Sequence, residues 1–141
     1  MTSTAVLRRI AGPLSVVWLT CAAAATANAA PIVSIVPASQ TVTTGSPVTA
    51  DVVVSGLTEG LGGFAFTVGF NTAVLSSVSY VVDPDQKLGD PLNTLDLSLG
   101  FSGGTLDVFY VADGGLDGSA LAALQGAGFV LARVTFTAIA D

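Results

Sequence analysis

The sequence is 141 residues long, about half hydrophobic (51%), and carries four basic residues against ten acidic ones. This length accommodates one domain and not comfortably two. The acid excess leaves no basic patch that would hold a phosphate backbone or an anionic lipid surface, so nucleic-acid binding is excluded.

The first 29 residues have the order of features that is typical of a secretory signal peptide. Arg8 and Arg9 provide a basic start, an apolar run follows, and the small residues "ANA" end at Ala29. We therefore predict cleavage between Ala29 and Ala30. A transmembrane anchor is the alternative, but the strongly apolar part falls short of the ~20 residues that a membrane span needs.

Removal of the signal peptide changes the charge and the cysteine content of the chain. Lys87 and Arg133 become the only bases against ten acids, so the mature net charge is −8. The single cysteine, Cys21, leaves with the signal, so no disulfide can form, even in an exported compartment. We expect a secreted or cell-surface domain over 30–141 that does not insert into a membrane and is held together by its core.

Most of the mature chain alternates between apolar and polar residues, the pattern of strands with one face on a core. The first strand is predicted at "PIVSIVPAS", where Pro37 suggests a sheet edge or a bend. The other predicted strands are 48–54, 64–70, 78–82, 95–101, 106–111 and 130–138. In these strands the alternation predicts that the following residues face the core: Val78, Tyr80, Val82, Leu95, Leu97, Leu99, Phe101, Tyr110 and Val130.

One segment, "GSALAALQGAG", has helical character, with Ser119 as the predicted cap and Gly126 as the predicted end. Strands at this spacing with a single short helix at 119–125 predict an all-β fold, an antiparallel β-sandwich.

The mature chain contains no His, Cys or Trp. This excludes Ser-His-Asp and Cys-His nucleophilic machinery and ordinary zinc, copper or haem ligation. Glu59 is the single glutamate, and most aspartates fall at predicted turns. We therefore expect no enzyme activity and no cofactor.

The densest acidic stretch is "DPDQKLGD", in which Asp83, Asp85 and Asp90 offer oxygen ligands of the kind calcium accepts. The spacing does not match the twelve-residue calcium loop. The alternative is a solvated turn between strands, and we favour it.

The order of several segments resembles cohesin-like domains. "TVTTGSPVTADVVVSGL" is similar to their opening strand, and "GLGGFAFTVGFNTAVLSSVSY" to their next element, with Phe70-Asn71 at the aromatic-acid position and Leu75 at the leucine. "ALAALQGAGFVLARVTFTA" resembles the later helix and strand. The resemblance implies a jelly-roll β-sandwich, and the combination with a bacterial-type signal is similar to proteins that carry a C-terminal exosortase (PEP-CTERM) sorting signal.

The resemblance also implies a function, since cohesins bind dockerins in cellulose-degrading assemblies. It places 64–70, 95–101 and 106–111 in the sheet that cohesins use for dockerin. The outward positions of that sheet would be Thr67, Ser98, Asp107 and Phe109, and an outward aromatic is a reasonable interface anchor. The alternative for Phe109 is packing under a loop or at a sheet edge.

Three functions remain open at this stage. The first is a secreted, non-catalytic module that binds a dockerin-like or other extracellular protein through one sheet face, with a link to extracellular polysaccharide metabolism. The second is a carbohydrate-binding module, which rests on fold analogy because neither Tyr80 nor Tyr110 is predicted to face outwards. The third is a structural component of a surface or matrix.

The resemblance further implies two more strands after "VLARVTFTAIAD", one beside the first strand and one beside 64–70. We expect a truncated or fragmentary chain with an incomplete sandwich and an unpaired edge on each sheet, which is marginally stable or aggregation-prone alone.

Overall fold

A computed structural model describes residues 30–140 as an antiparallel β-sandwich with one helix. The strands are β1 (Ile32–Val36), β2 (Pro47–Ser55), β3 (Gly63–Gly69), β4 (Leu75–Val82), β5 (Leu95–Asp96), β6 (Gly100–Ser102), β7 (Thr105–Val111) and β8 (Gly128–Ala138), and the helix α1 is Gly118–Gln125. The all-β prediction is confirmed. The predicted signal peptide, including Ala29, lies outside the described residues, and Ala30 is exposed.

The strands form two sheets. The first has the order β1-β2-β8-β4, and in the second β7 pairs with β3 on one side and with both β5 and β6 on the other. All of these pairs are antiparallel. The predicted strands 64–70, 95–101 and 106–111 therefore do contribute to one sheet.

The core lies between the two sheets and is rich in aromatic rings. Phe101 of β6 contacts Tyr80 of β4 edge-on, with ring centroids 5.6 Å apart, and it also contacts Phe136 of β8. Phe70 contacts Phe101 and Phe136 as well. The Tyr80–Phe101 contact places β4 of the first sheet against β6 of the second sheet at one side of the sandwich. Strand β3 lies on the other side of β7 from β6, and it therefore lies towards β1 and β2.

Helix α1 is capped two residues before the predicted position. The carboxylate of Asp117 accepts the backbone N–H of Ala120 at 2.8 Å, so the prediction of Ser119 as the cap is wrong. The Ser119 hydroxyl instead donates to the same carboxylate. The prediction that Gly126 ends the helix is confirmed, since Gly126 adopts a positive φ of 61° that glycine tolerates readily.

An extra residue interrupts the two-residue alternation in two strand pairs of the first sheet. In β4 the extra residue is Val78, which is exposed, so its prediction as core is wrong. In β8 the register shifts around Leu131, which is buried while Val130 is turned from the core. A bulge of this kind reverses the face of every residue on one side of it.

Candidate functional site

The outer face of the β3–β7 sheet is the surface on which the predicted site residues meet. Thr67 of β3 pairs with Asp107 of β7, and Ala65 pairs with Phe109. Because paired residues of antiparallel strands share a face, these four side chains point away from the core. Phe66, between them on β3, points to the core and pairs with buried Val108.

Asp107 supplies the charge of this face. One of its carboxylate oxygens accepts the Thr67 hydroxyl at 2.6 Å, which draws the carboxylate over strand β3. Within residues 30–140 the second oxygen takes no hydrogen bond, and Asp107 is half-buried. This oxygen is therefore available to a donor from outside the chain.

Phe109 is the aromatic side chain of this face. Its exposed fraction is 44%, although it lies on β7, the strand that pairs on both sides. The alternative interpretation, that Phe109 packs under a loop or at an edge, is wrong for the chain as described. Aromatic residues are enriched at protein interfaces, so the exposed ring makes this face a candidate binding surface.

Ser98 has a different role from the one its predicted outward position suggests. Its hydroxyl accepts the backbone N–H of Phe109 at 3.1 Å and donates to the Phe109 carbonyl at 3.5 Å. The backbone N–H of Ser98 in turn donates to Asp96 at 2.9 Å. Ser98 therefore bonds to β7 in the gap between β5 and β6, and its hydroxyl is already hydrogen-bonded within the sheet.

The leucines around Ser98 were predicted as core and are exposed instead. Between Asp96, opposite Tyr110, and Gly100, opposite Asp107, the chain advances four residues while β7 advances three. The extra residue reverses the alternation, so Phe101 faces the core but Leu95 faces outwards.

Leu97 and Leu99 are exposed as well, Leu99 by 85%. The sequence contains one signal for the interruption, Gly100, which adopts a φ of +75°.

These side chains enclose a shallow groove of about 510 Å³ on the outer face. It is lined by Ala65, Phe66, Thr67, Leu97, Leu99, Asp107, Val108 and Phe109. We call this surface the β7 groove. Phe66 and Val108 of this lining have side chains that point to the core. The groove therefore offers the leucine side chains, the exposed ring of Phe109 and the carboxylate of Asp107, which suit an apolar side chain with a basic or hydroxyl group beside it.

The acidic loop after β4 is not a carboxylate cage. Asp83 is buried, and its two carboxylate oxygens accept the backbone N–H groups of Lys87 at 2.7 Å and Leu88 at 2.8 Å. Asp90 accepts the N–H of Leu92 in a second local turn. No group of three or more acidic, histidine or cysteine side chains in the described part of the chain is placed to hold a metal ion. The loop is a hydrogen-bonded turn, but Asp83 within it is buried and not solvated.

Between residues 30 and 140 no helix has the length and apolar character required to cross a membrane.

Comparison with known proteins supports the fold. No family model matches the sequence, and no curated protein matches it. A solved structure with a similar fold is that of a complex between a variant of CaDoc0917 and CaCohA2 at pH 5.5, a cohesin–dockerin complex. The likeness has a TM-score of 0.55 at 14% sequence identity; it covers 70% of this chain and 65% of the other.

The fold and the comparison together define the class of this domain. It is an all-β sandwich with a cohesin-like fold. The chain spans somewhat under two thirds of the length of the structure it resembles.

Proposed function

We propose that this chain is a secreted, non-catalytic module that binds a protein partner through the β7 groove. The observation that carries the proposal is the exposure of Phe109, Leu97 and Leu99 together beside the carboxylate of Asp107. Apolar side chains gathered on one face of a sandwich lose water favourably when a partner covers them. A dockerin-like or other extracellular protein is the partner class that the cohesin-like fold suggests.

The side chains of the β7 groove support carbohydrate binding less strongly than protein binding. Sugar-binding platforms generally need two or more exposed, coplanar aromatic rings. Tyr110 is buried and its hydroxyl is hydrogen-bonded to Thr94 at 2.7 Å, while Tyr80 is half-buried against Phe101. Phe109 is thus the exposed aromatic of this sheet within residues 30–140. Retention on insoluble cellulose or chitin that Phe109→Ala abolishes would place the carbohydrate function first.

Binding to purified dockerin-bearing and other exported proteins, measured by surface plasmon resonance, tests the protein-binding function. For a partner that binds, Phe109→Ala is expected to weaken the affinity by about tenfold or more, because a central aromatic anchor commonly contributes over 1 kcal/mol. Val81→Ala is the matched control. Val81 is a similarly exposed apolar residue on the outer face of the other sheet, where it pairs with Arg133.

An unchanged affinity for Phe109→Ala with a demonstrated partner would refute the β7 groove as the binding surface. Equal losses for Phe109→Ala and Val81→Ala would also refute it, since they would show that the effect is not local to this face.

A further inference from the structure

The loop after β4 contains both aspartyl–prolyl bonds of the sequence, Asp83–Pro84 and Asp90–Pro91. An aspartate before a proline can cleave its own chain, because its side-chain carboxyl group reaches its own carbonyl carbon through a five-membered ring. The proline nitrogen carries no hydrogen and belongs to a tertiary amide, so it takes up a proton and leaves more readily than other peptide nitrogens. The two bonds differ in how the fold arranges these groups.

The carbonyl group of the Asp90–Pro91 bond is held by two hydrogen-bond donors. Its oxygen accepts the backbone N–H of Asn93 at 2.9 Å and that of Thr94 at 3.1 Å. Attack on the carbonyl carbon moves negative charge onto this oxygen, and fixed N–H donors stabilise such charge in the manner of an oxyanion hole. Asp90 and Pro91 are both exposed, so water reaches the bond.

The Asp90 carboxylate is turned towards the same bond. One of its oxygens accepts the backbone N–H of Leu92 at 2.9 Å, and Leu92 lies just beyond Pro91. This hydrogen bond draws the carboxylate to the side of the peptide bond that would break. Within residues 30–140 the second carboxylate oxygen takes no hydrogen bond, so it is available as the nucleophile.

Contacts on both sides hold this turn in place. A side chain at Gly89, which has a φ of +106°, would overlap Asp113, so the backbone before the turn packs closely against the loop after β7. On the other side the Thr94 hydroxyl donates to the Pro91 carbonyl at 3.1 Å and is also hydrogen-bonded to the hydroxyl of buried Tyr110 at 2.7 Å. The reacting groups are thus held together before the reaction, which lowers its entropic cost.

The Asp83–Pro84 bond lacks this arrangement. The two carboxylate oxygens of Asp83 accept the backbone N–H groups of Lys87 and Leu88, and the residue is buried. Within residues 30–140 its carbonyl oxygen accepts one backbone N–H, that of Gln86 at 3.0 Å. The Asp83 carboxylate is therefore held away from its own carbonyl carbon by the loop that it closes.

We propose that the folded chain cleaves itself at the Asp90–Pro91 bond, with Asp90 as the catalytic residue. A side-chain oxygen bonds to the Asp90 carbonyl carbon while the bond from that carbon to the Pro91 nitrogen breaks. The electron pair of the broken bond stays on the nitrogen, which takes the proton of the carboxyl group. This step leaves a cyclic anhydride at Asp90 and a secondary amine at Pro91. One water molecule then opens the anhydride to two carboxyl groups, so the net change is hydrolysis of one peptide bond.

The two products should stay together after cleavage. The cut falls between β4 and β5, yet β2 and β4 on one side of it pair with β8 on the other, and β3 pairs with β7. The sandwich therefore remains assembled through its sheets until denaturant separates the two pieces. This activity is distinct from binding at the β7 groove, since it uses none of the groove's side chains.

Incubation of the purified 141-residue protein in a mildly acidic buffer, followed by mass spectrometry in denaturant, tests the proposal. Circular dichroism in the same buffer checks that the chain is folded. We expect one fragment that ends at Asp90 and one that begins at Pro91. The Asp83–Pro84 bond is the internal control, and in the folded protein its cleavage should be at least about tenfold slower. In concentrated urea the two bonds should be cleaved at similar rates, and the Asp90–Pro91 bond more slowly than in the folded protein.

Two variants identify the groups that react. Pro91→Ala should prevent cleavage and preserve the turn, because alanine is a good helix former but restores an ordinary secondary amide. Asp90→Asn keeps an oxygen for the Leu92 N–H and lacks the carboxyl group, so this chain should stay intact over the same time. Undiminished cleavage in either variant would overturn the proposal.

Equal cleavage of the two aspartyl–prolyl bonds in the folded protein would also overturn it. So would cleavage of Asp90–Pro91 that is as fast in urea as in the folded protein, since the fold would then contribute nothing to the reaction. A chain that stays intact under these conditions contradicts the proposal directly. None of these measurements depends on Phe109, so their failure leaves the proposed function of the β7 groove standing.

Discussion

Replacement of Asp83 by alanine removes the residue that closes the loop after β4. The Asp83 carboxylate accepts two backbone N–H groups, those of Lys87 and Leu88, and Leu88 has no exposed surface. Asp83 also adopts a positive φ of 45°, a conformation that aspartate and asparagine tolerate better than alanine. The substitution therefore leaves two amides without their acceptor, one of them buried, and adds backbone strain.

The magnitude follows from these three effects. Hydrogen bonds to a charged group contribute about 1.5–3 kcal/mol each, and alanine tolerates the left-handed conformation less well than aspartate does. Because water can reach the partly buried amide of Lys87, we expect a total loss of about 3–5 kcal/mol in the free energy of unfolding. At an m-value of about 2 kcal/mol/M, the urea midpoint should fall by about 2 M with an unchanged slope.

Urea denaturation followed by circular dichroism, with and without calcium, is the assay. Asp85→Ala is the matched control, because Asp85 is exposed in the same loop, and its effect should stay within about 0.5 kcal/mol. Calcium should leave the midpoint of the wild-type protein unchanged. A midpoint that rises with calcium in the wild type but not in Asp83→Ala would refute the reasoning and restore the calcium interpretation. Equal effects of Asp83→Ala and Asp85→Ala would refute it as well.

Two further predictions concern the core and one ion pair. Leu106→Ala, at a fully buried position of β7, should lower the free energy of unfolding by about 2–5 kcal/mol in the same assay. Leu99→Ala, at an exposed position, should change it by less than about 0.5 kcal/mol. Similar values for the two variants would contradict the placement of these leucines. The side-chain hydrogen bond from Arg133, with a smaller contribution from its charge, lowers the pKa of Asp51. The stabilisation that the Asp51–Arg133 ion pair gives the folded protein is therefore complete above the ordinary carboxyl pKa of about 3.9. It is lost as the pH falls through the lowered pKa of Asp51. The difference in urea midpoint between the wild type and Arg133→Met should accordingly be constant near neutral pH and should close in acid; a difference that persists unchanged in acid would show that the pair is not its cause.

Much of the fold could be predicted from local patterns. The alternation in "VTADVVVS" and "GFAFTVG" indicates strands because side chains in a strand point to opposite faces with a period of two. The helix at 118–125 and its end at Gly126 follow from a helical segment closed by glycine. The assignment of Thr67, Asp107 and Phe109 to one outward face also follows, because β3 and β7 keep a regular register.

The rest depends on which strands become neighbours, and this is not encoded in any short segment. The extra residues at Val78 and between Asp96 and Gly100 reverse the alternation only because the partner strand is regular at those points. For that reason Leu97 and Leu99 join the β7 groove although their own alternation predicts the core. The burial of Asp83 likewise depends on the chain folding back so that Leu88 is covered by the rest of the core. Local sequence thus determined where strands form and how their side chains alternate, whereas the pairing of distant strands decided which face became the core.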